Sequence, residues 1–252
     1  MKAFKVEGSI ALVTGANRGL GRALLEALIH RGVRKIYAAA RNVATAGTRE
    51  DPRIVPLRLD VTDPDQVRAA ATAASDITLV VNNAGVALNA EITGPAALEQ
   101  ARREMEVNYF GSLHMVRQFA PVLRKNGGGA LLFVGSASGL TNIPFFPTYS
   151  ASKAALHSLT QAARVLLAAQ GTSVFGAYPG PVDTDMVRDL AMPKASARDV
   201  ASAILDGVES GREDIFPDSF ARDFGRQFES SPKGSERQVA EMVAAMAAGS
   251  AA

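Results

Sequence analysis

Tyr149 and Lys153 stand one helical turn apart in the run Tyr149-Ser150-Ala151-Ser152-Lys153. An i, i+4 spacing puts both side chains on one face of a helix. An ammonium beside a phenol favours the phenolate, so the pair is a candidate proton-transfer unit with a lowered Tyr pKa. A free Tyr titrates near pH 10, so a fall of roughly two to three units, worth on the order of 3–4 kcal/mol, would bring proton exchange close to neutral pH. Tyr and Lys also meet at this spacing on ordinary surface helices, so the pair needs a second feature to carry weight. Far upstream lies a Gly-rich turn, Thr14-Gly15-Ala16-Asn17-Arg18-Gly19-Leu20-Gly21. Its glycines allow close backbone approach to a phosphate. The helix that follows would offer N–H groups and a partial positive charge to a pyrophosphate. The spacing G-x-x-x-G-x-G differs from the G-x-G-x-x-G fingerprint. Its context, after a strand pattern and before a helical one, is the one a dinucleotide cradle requires.

The end of the second strand pattern bears on the choice of dinucleotide. An NAD site usually places a carboxylate there for the ribose 2′-OH. This chain instead has Ala38-Ala39-Ala40-Arg41. A guanidinium suits a 2′-phosphate through charge-assisted, often bidentate hydrogen bonds. Arg18, inside the Gly-rich turn, supplies a second cation for the same group. The expected cofactor is therefore NADP(H).

These residues must be positioned by alternating strands and helices, which argues for a parallel sheet covered on both faces. Strands are expected at Ser9–Thr14, Lys35–Ala39, Ile54–Leu59, Ile77–Val81, Ala130–Gly135, Ser173–Tyr178 and, briefly, Asp214–Phe216. Helices are expected at Gly19–Arg31, from Asp63 to Ala73, along Pro95–Leu123 with an interruption near Asn108 and Gly111, and at Thr148–Ala169 and Ser196–Glu209. Asp63 and Ser196 read as N-caps, with Pro64 at a first helical position. Residues 219–252 form a polar helical C-terminal extension, with fraying expected over Ala247–Ala252. No repeat or linker divides the chain, so residues 1–252 read as a single dinucleotide-binding catalytic domain.

Composition narrows the partners. The chain has 252 residues, 47% hydrophobic and 21% charged, with a formal net charge of +2. That is ordinary for a globular protein, and no Lys/Arg block argues for nucleic acid. The absence of Cys rules out disulfides, thiol nucleophiles and Cys-based metal sites. His30, His114 and His157 are isolated and match no zinc spacing. The N-terminus lacks the apolar core of a signal peptide, and no apolar run reaches membrane-spanning length. The expectation is a cytoplasmic protein with no metal and no membrane partner, acting on a small molecule.

Taken together, the motifs resemble the short-chain dehydrogenase/reductase family in its branch of about this length. The resemblance rests on Thr14–Gly21, Asp60-Val61, Asn82-Asn83-Ala84-Gly85, Asn108, Ser136, Tyr149-x-x-x-Lys153 and Pro179-Gly180-Pro181-Val182-Asp183-Thr184, in the family's order. It implies a Rossmann-type, doubly wound α/β fold with a nicotinamide cofactor across the carboxyl ends of the strands. It also implies roles. Ser136, thirteen residues before Tyr149, would hold a substrate carbonyl, with Ser138 as the neighbouring alternative. Tyr149 would donate or accept the proton. Lys153 would tune it and hold the nicotinamide ribose, and Asn108 would anchor a water leading to Lys153. Gly15, Asn17, Arg18, Gly19 and Leu20 would cradle the pyrophosphate. Asp60 and Val61 would clamp the adenine. Asn82, Ala84 and Gly85 would shape the wall beside the cofactor. Pro179, Gly180, Val182 and Thr184 would contact the nicotinamide carboxamide and the phosphates.

Several features depart from the family pattern. A glycine-ended strand that packs between subunits in many members is replaced here by Glu213-Asp214-Ile215-Phe216-Pro217-Asp218. A homodimer through the two long helices is expected, with a homotetramer as the alternative. The segment Met186–Ala195, where substrate lids lie, is short, which suggests an open pocket. Val86, Leu88, Leu140, Ile143, Phe145, Phe146 and Met186 read as its apolar wall, with no cation placed to fix an acidic substrate. The expected reaction is NADPH-dependent reduction of a neutral ketone or aldehyde. Reduction of a carrier-linked 3-ketoacyl group is the nearest alternative, and a non-catalytic NADP-sensing regulator is the alternative from another class. A halohydrin dehalogenase-like protein is disfavoured by Lys153 and the intact glycines.

Overall fold

Continuous apolar runs, rather than alternating ones, build the inner strands, as burial on both faces demands. The structure, a computed structural model, describes residues 2–45, 51–88, 91–188 and 192–249. Its strands are β1 (Ile10–Thr14), β2 (Lys35–Ala40), β3 (Ile54–Arg58), β4 (Leu79–Asn82), β5 (Gly129–Val134), β6 (Thr172–Ala177) and β7 (Asp214–Ile215). They form one parallel sheet in the order β3-β2-β1-β4-β5-β6-β7. Every residue of β1, β4 and β6 is buried. β3 alternates between buried and open positions and carries Pro56, which suits its place at the sheet edge.

The helices are α1 (Gly19–His30), α2 (Pro64–Ala73), α3 (Ala97–Met105), α4 (Gly111–Lys125), α5 (Pro147–Ala168), α6 (Ala197–Glu209), α7 (Ser219–Ser230) and α8 (Pro232–Gly249). Ala11 and Val13 of β1 pack on one side with Leu24, Leu28, Ile204 and Leu205 from α1 and α6. Ile10 and Leu12 pack on the other side with Val67, Met115, Phe119 and Leu156 from α2, α4 and α5. The period-2 geometry of a strand assigns neighbouring residues to opposite faces, so a five-residue strand feeds two cores. The result is the doubly wound sheet expected from sequence.

Local chemistry sets the helix starts. Asp63 accepts hydrogen bonds from Asp65 N and Gln66 N, with Pro64 opening α2. Ser196 accepts from Asp199 N at the start of α6. The long helical stretch divides into α3 and α4 around a π-helical turn at Glu106–Phe110, in which Gly111 N donates to Glu106 O. Residues 250–252 of the expected fraying end, and 189–191 of the expected lid, lie outside the described residues. Among the described residues, no helix is long and apolar enough to cross a membrane.

β1 is flanked by β2 on one side and β4 on the other, so the strand order reverses there. Such a switch point leaves a crevice beyond the carboxyl ends of the strands, and the candidate residues gather in it.

Candidate active site

The crevice is a cavity of about 690 Å³. Of the residues singled out from sequence, Gly15, Asn17, Arg18, Gly19, Leu20, Arg41, Asp60, Val61, Ala84, Gly85, Ser136, Tyr149, Lys153, Pro179, Gly180, Val182 and Thr184 all line it. Asn82 and Asn108 do not.

At one end is the Gly-rich turn. Gly15 and Gly19 take left-handed φ values of 66° and 52°. A Cβ on Gly21 would fall 2.1 Å from Gly15 O, so only glycine lets α1 begin this close to the turn. α1 starts without a side-chain cap and without an acidic residue in its first turn. By contrast α2, α6 and α7 are each capped by a side chain. An uncapped N-terminus facing a cavity retains donors for an anion. The carboxyl end of β2 adds Arg41, and the turn adds Arg18. No salt bridge involves either guanidinium among the described residues. Open helix donors and two guanidiniums suit the phosphates of a dinucleotide.

Asn83, which sequence reasoning left without a role, braces this end. Its Nδ2 donates to Thr14 O at 2.9 Å, while Thr14 Oγ1 accepts from Asn83 N and Ala84 N. Asn82 was expected on the cofactor wall. Its side chain is buried and does not line the cavity, and neither of its polar atoms has a partner among the described residues. The residue closes β4, and the strand's period turns Asn82 inward and leaves Asn83 to reach β1.

At the other end are Ser136, Tyr149 and Lys153. Ser136 caps a 3-10 turn, Ala137–Gly139, where its Oγ accepts from Ser138 N at 3.3 Å and Ser138 Oγ at 2.9 Å. Ser136 lines the cavity and also hydrogen-bonds the Tyr149 phenol. Ser138 lines the cavity too, joined to Ser136 through their hydroxyls.

The sequence expectation for Tyr149 is corrected here. Burial pushes the phenol up to about 12, Ser136's hydrogen bond opposes the rise, and the Glu104 carboxylate adds to it. Lys153 does not pull the phenol down. Its Nζ lies 5.7 Å from the Tyr149 ring centroid and donates to Val134 O at 2.9 Å. Burial also lowers its own pKa to about 8. Desolvation thus sets the direction of the Tyr149 shift.

Asn108 was expected to anchor a water leading to Lys153. It stands one layer behind the reacting groups, fully buried in the π-helical turn. Its Nδ2 donates to Val86 O and Ser152 Oγ, and its Oδ1 accepts from Val86 N. A Cβ on Gly85 would lie 3.1 Å from Asn108 Oδ1 and 3.5 Å from Lys153 Nζ. Asn108 therefore clamps the cavity wall to α5 beside Lys153.

Four further residues were given no place at the site by the sequence. Glu104 is fully buried, with Oε1 accepting from Leu88 N at 2.7 Å and Oε2 unpartnered among the described residues. Nothing in its helical position distinguishes it from a surface Glu. Arg103 lines the cavity from α3, where no cation was expected. Phe220 and Met242 line it from the C-terminal helices. Val86, Ile143, Phe145, Phe146 and Met186 supply the expected apolar wall.

The geometry agrees with the comparisons. The sequence profile of the short chain dehydrogenase family matches residues 9–195. A solved short chain dehydrogenase from Burkholderia cenocepacia, in complex with NADP, is 40% identical, with a TM-score of 0.89 over 93% of this chain and 98% of that one. A short chain dehydrogenase/reductase from Burkholderia phymatum, in complex with NAD, is 26% identical, with a TM-score of 0.79 over 89% of this chain and 94% of its own. An uncharacterized oxidoreductase of Staphylococcus epidermidis is 31% identical over 80% of this chain and 91% of its own. A Drosophila melanogaster dehydrogenase/reductase SDR family protein 7-like is 28% identical over 72% of this chain, which spans only 60% of its length. The chain is an oxidoreductase and belongs to the short-chain dehydrogenase/reductase family.

Proposed function

We propose that the protein reduces a neutral ketone or aldehyde with NADPH, reversibly. One observation carries this reading: Ser136, Tyr149 and Lys153 line the same cavity as the Gly-rich turn, Arg18 and Arg41, beside an apolar wall. A bound nicotinamide dinucleotide supplies the hydride. The chain's residues do the rest. Ser136 and Tyr149 hold the carbonyl oxygen, so charge developing there meets two donors. Tyr149 gives its phenolic proton to that oxygen. Lys153, held beside the ring by Val134 O, would hold the nicotinamide ribose. Asn108 and Asn83 hold the walls in register. Arg41 and Arg18 favour NADPH through the 2′-phosphate.

The test is oxidation of NADPH and NADH with a panel of neutral ketones, aldehydes and one 3-ketoacyl thioester. Turnover with NADPH should vanish in Tyr149→Phe while NADPH still binds. In Arg41→Ala the ratio of NADPH to NADH efficiency should fall at least tenfold. An unchanged ratio would remove Arg41 as the selector. Turnover confined to the thioester would replace this reading with the carrier-linked one.

A further inference from the structure

The C-terminal extension is built into the cleft. Asp218 is only 8% exposed and makes two different attachments. Its Oδ1 accepts from Ala221 N at 2.8 Å, capping α7, and its Oδ2 accepts from Gly180 N at 2.9 Å. One carboxylate therefore fastens α7 to the Pro179-Gly180-Pro181 turn that lines the cavity. The contact has no slack, since a Cβ on Gly180 would lie 2.6 Å from the Phe220 ring.

α8 then folds back along α7, with Ser231 Oγ accepting from Gly234 N at the corner. Phe224 and Val239 bury themselves with Ala137, the residue after Ser136, and Leu140, Phe220, Met242 and Val243 pack around them. The Phe220 and Phe224 rings stack at 5.7 Å. Phe220 and Met242 thereby face the same cavity as Ser136 and Tyr149.

The chemistry of this wall limits what can lie against it. Phe220, Met242, Phe145, Phe146 and Met186 offer no hydrogen bond beyond the weak acceptor of a thioether. Arg18, Arg41, Asp60 and Lys153 are the charged lining residues already described; of the others, Asp185 is ion-paired with Arg188, and Arg103 enters from α3 with its residue exposed. Thioethers also adapt to irregular apolar shapes. We propose that the α7–α8 pair is the substrate-selecting wall. In this assignment Phe220 and Met242 determine specificity for a carbonyl compound with a bulky, uncharged apolar substituent, and Asp218 is the positioning residue that locks the wall to Gly180. This rests on the carbonyl-reductase reading and deepens it.

The experiment is a series of neutral methyl ketones with a lengthening alkyl or aryl substituent, read as kcat/KM with NADPH. Met242→Ala is expected to shift the ratio of bulkiest to smallest ketone at least tenfold toward the bulkiest. Met242→Phe should shift it the other way, and NADPH affinity should stay within twofold in both. Asp218→Asn cannot accept both backbone bonds, so it should flatten the preference and weaken NADPH binding. Met242→Leu, which conserves volume, checks that altered preference is not lost folding. A proportional fall across the whole series would mean a merely structural residue and would overturn the proposal, while leaving the carbonyl-reductase reading intact. Calorimetric titration of the same ketones into the enzyme–NADP⁺ complex reads the wall without turnover. A size preference moved by Met242→Ala supports the wall, and an unmoved one overturns it, even where the carbonyl-reductase reading itself fails for want of turnover.

Discussion

Lys153 is pulled two ways. Its position beside Tyr149 calls for a charge, while its burial, at 4% exposure, disfavours one. The pKa near 8 records the second pull. The unfolded chain would hold this proton to about 10.4, so between these values the unfolded state binds more protons and stability rises with pH. The stability term is complete above the unfolded pKa and is lost as pH falls through 8. Lys153→Met removes the buried charge, which is worth on the order of 3 kcal/mol at pH 7. It also leaves Val134 O unpaired, at about 1–2 kcal/mol. The variant is expected to be more stable than the parent by roughly 1–2 kcal/mol at pH 7, while turnover falls at least a hundredfold. Thermal melts of both proteins at pH 7 and pH 10.5 check this, because the gap should shrink or reverse at the higher pH. A gap of constant size would mean that Lys153 is not buried as a charge. The Tyr149–Lys153 pair was legible as two side chains on one helical face. The direction of the Tyr149 shift was not, because desolvation depends on what covers the phenol, and the residues that cover it come from other parts of the chain.

Among the elements, α1 matters most to the cofactor. Its start is open because Arg18 makes no side-chain cap and Gly21 lets the helix lie against Gly15 O. Gly21→Ala would press a methyl group into a backbone carbonyl, which cannot rotate away. The expected result is at least a tenfold loss of NADPH affinity, with a melting temperature lower by several degrees, as for a clash of about 1–3 kcal/mol. Fluorescence titration with NADPH and a thermal melt measure both. Unchanged affinity would place the dinucleotide elsewhere. The cradle was readable because glycine spacing and the strand-to-helix context are local. The split of the long helical stretch was also signalled locally, by Asn108 and Gly111. Its π-helical geometry, which turns Asn108 inward onto Val86 and Ser152, was not. Those partners are 22 and 44 residues away.

At the scale of the whole molecule, α5 bears on assembly. Its two charged residues are occupied, Lys153 by burial and Arg164 by Asp214. Its exposed positions include Ala154, Ala162, Val165 and Leu166, the last two 77% and 75% exposed. A long helix with an uncharged, partly apolar outer face suits a second copy of this chain. A homodimer or larger homo-oligomer is expected by sedimentation at micromolar concentration, with Val165→Glu and Leu166→Glu together shifting it to monomer. A monomeric parent would refute this. The sequence by itself determined the alternation of strands and helices, the two cores, the glycine cradle, the Tyr–Lys pair and the arginines where an NAD site would carry an acid. Each depends on periodicity or on residues a few positions apart. Only the tertiary structure decided which asparagine braces β1, that burial raises the Tyr149 pKa, that Glu104 is buried, and that a polar-looking extension returns to wall the cavity. These follow from contacts across tens to hundreds of residues. The amphipathic pattern of α7 and α8 shows that an apolar face exists, but what that face meets is decided only when Asp218 finds Gly180.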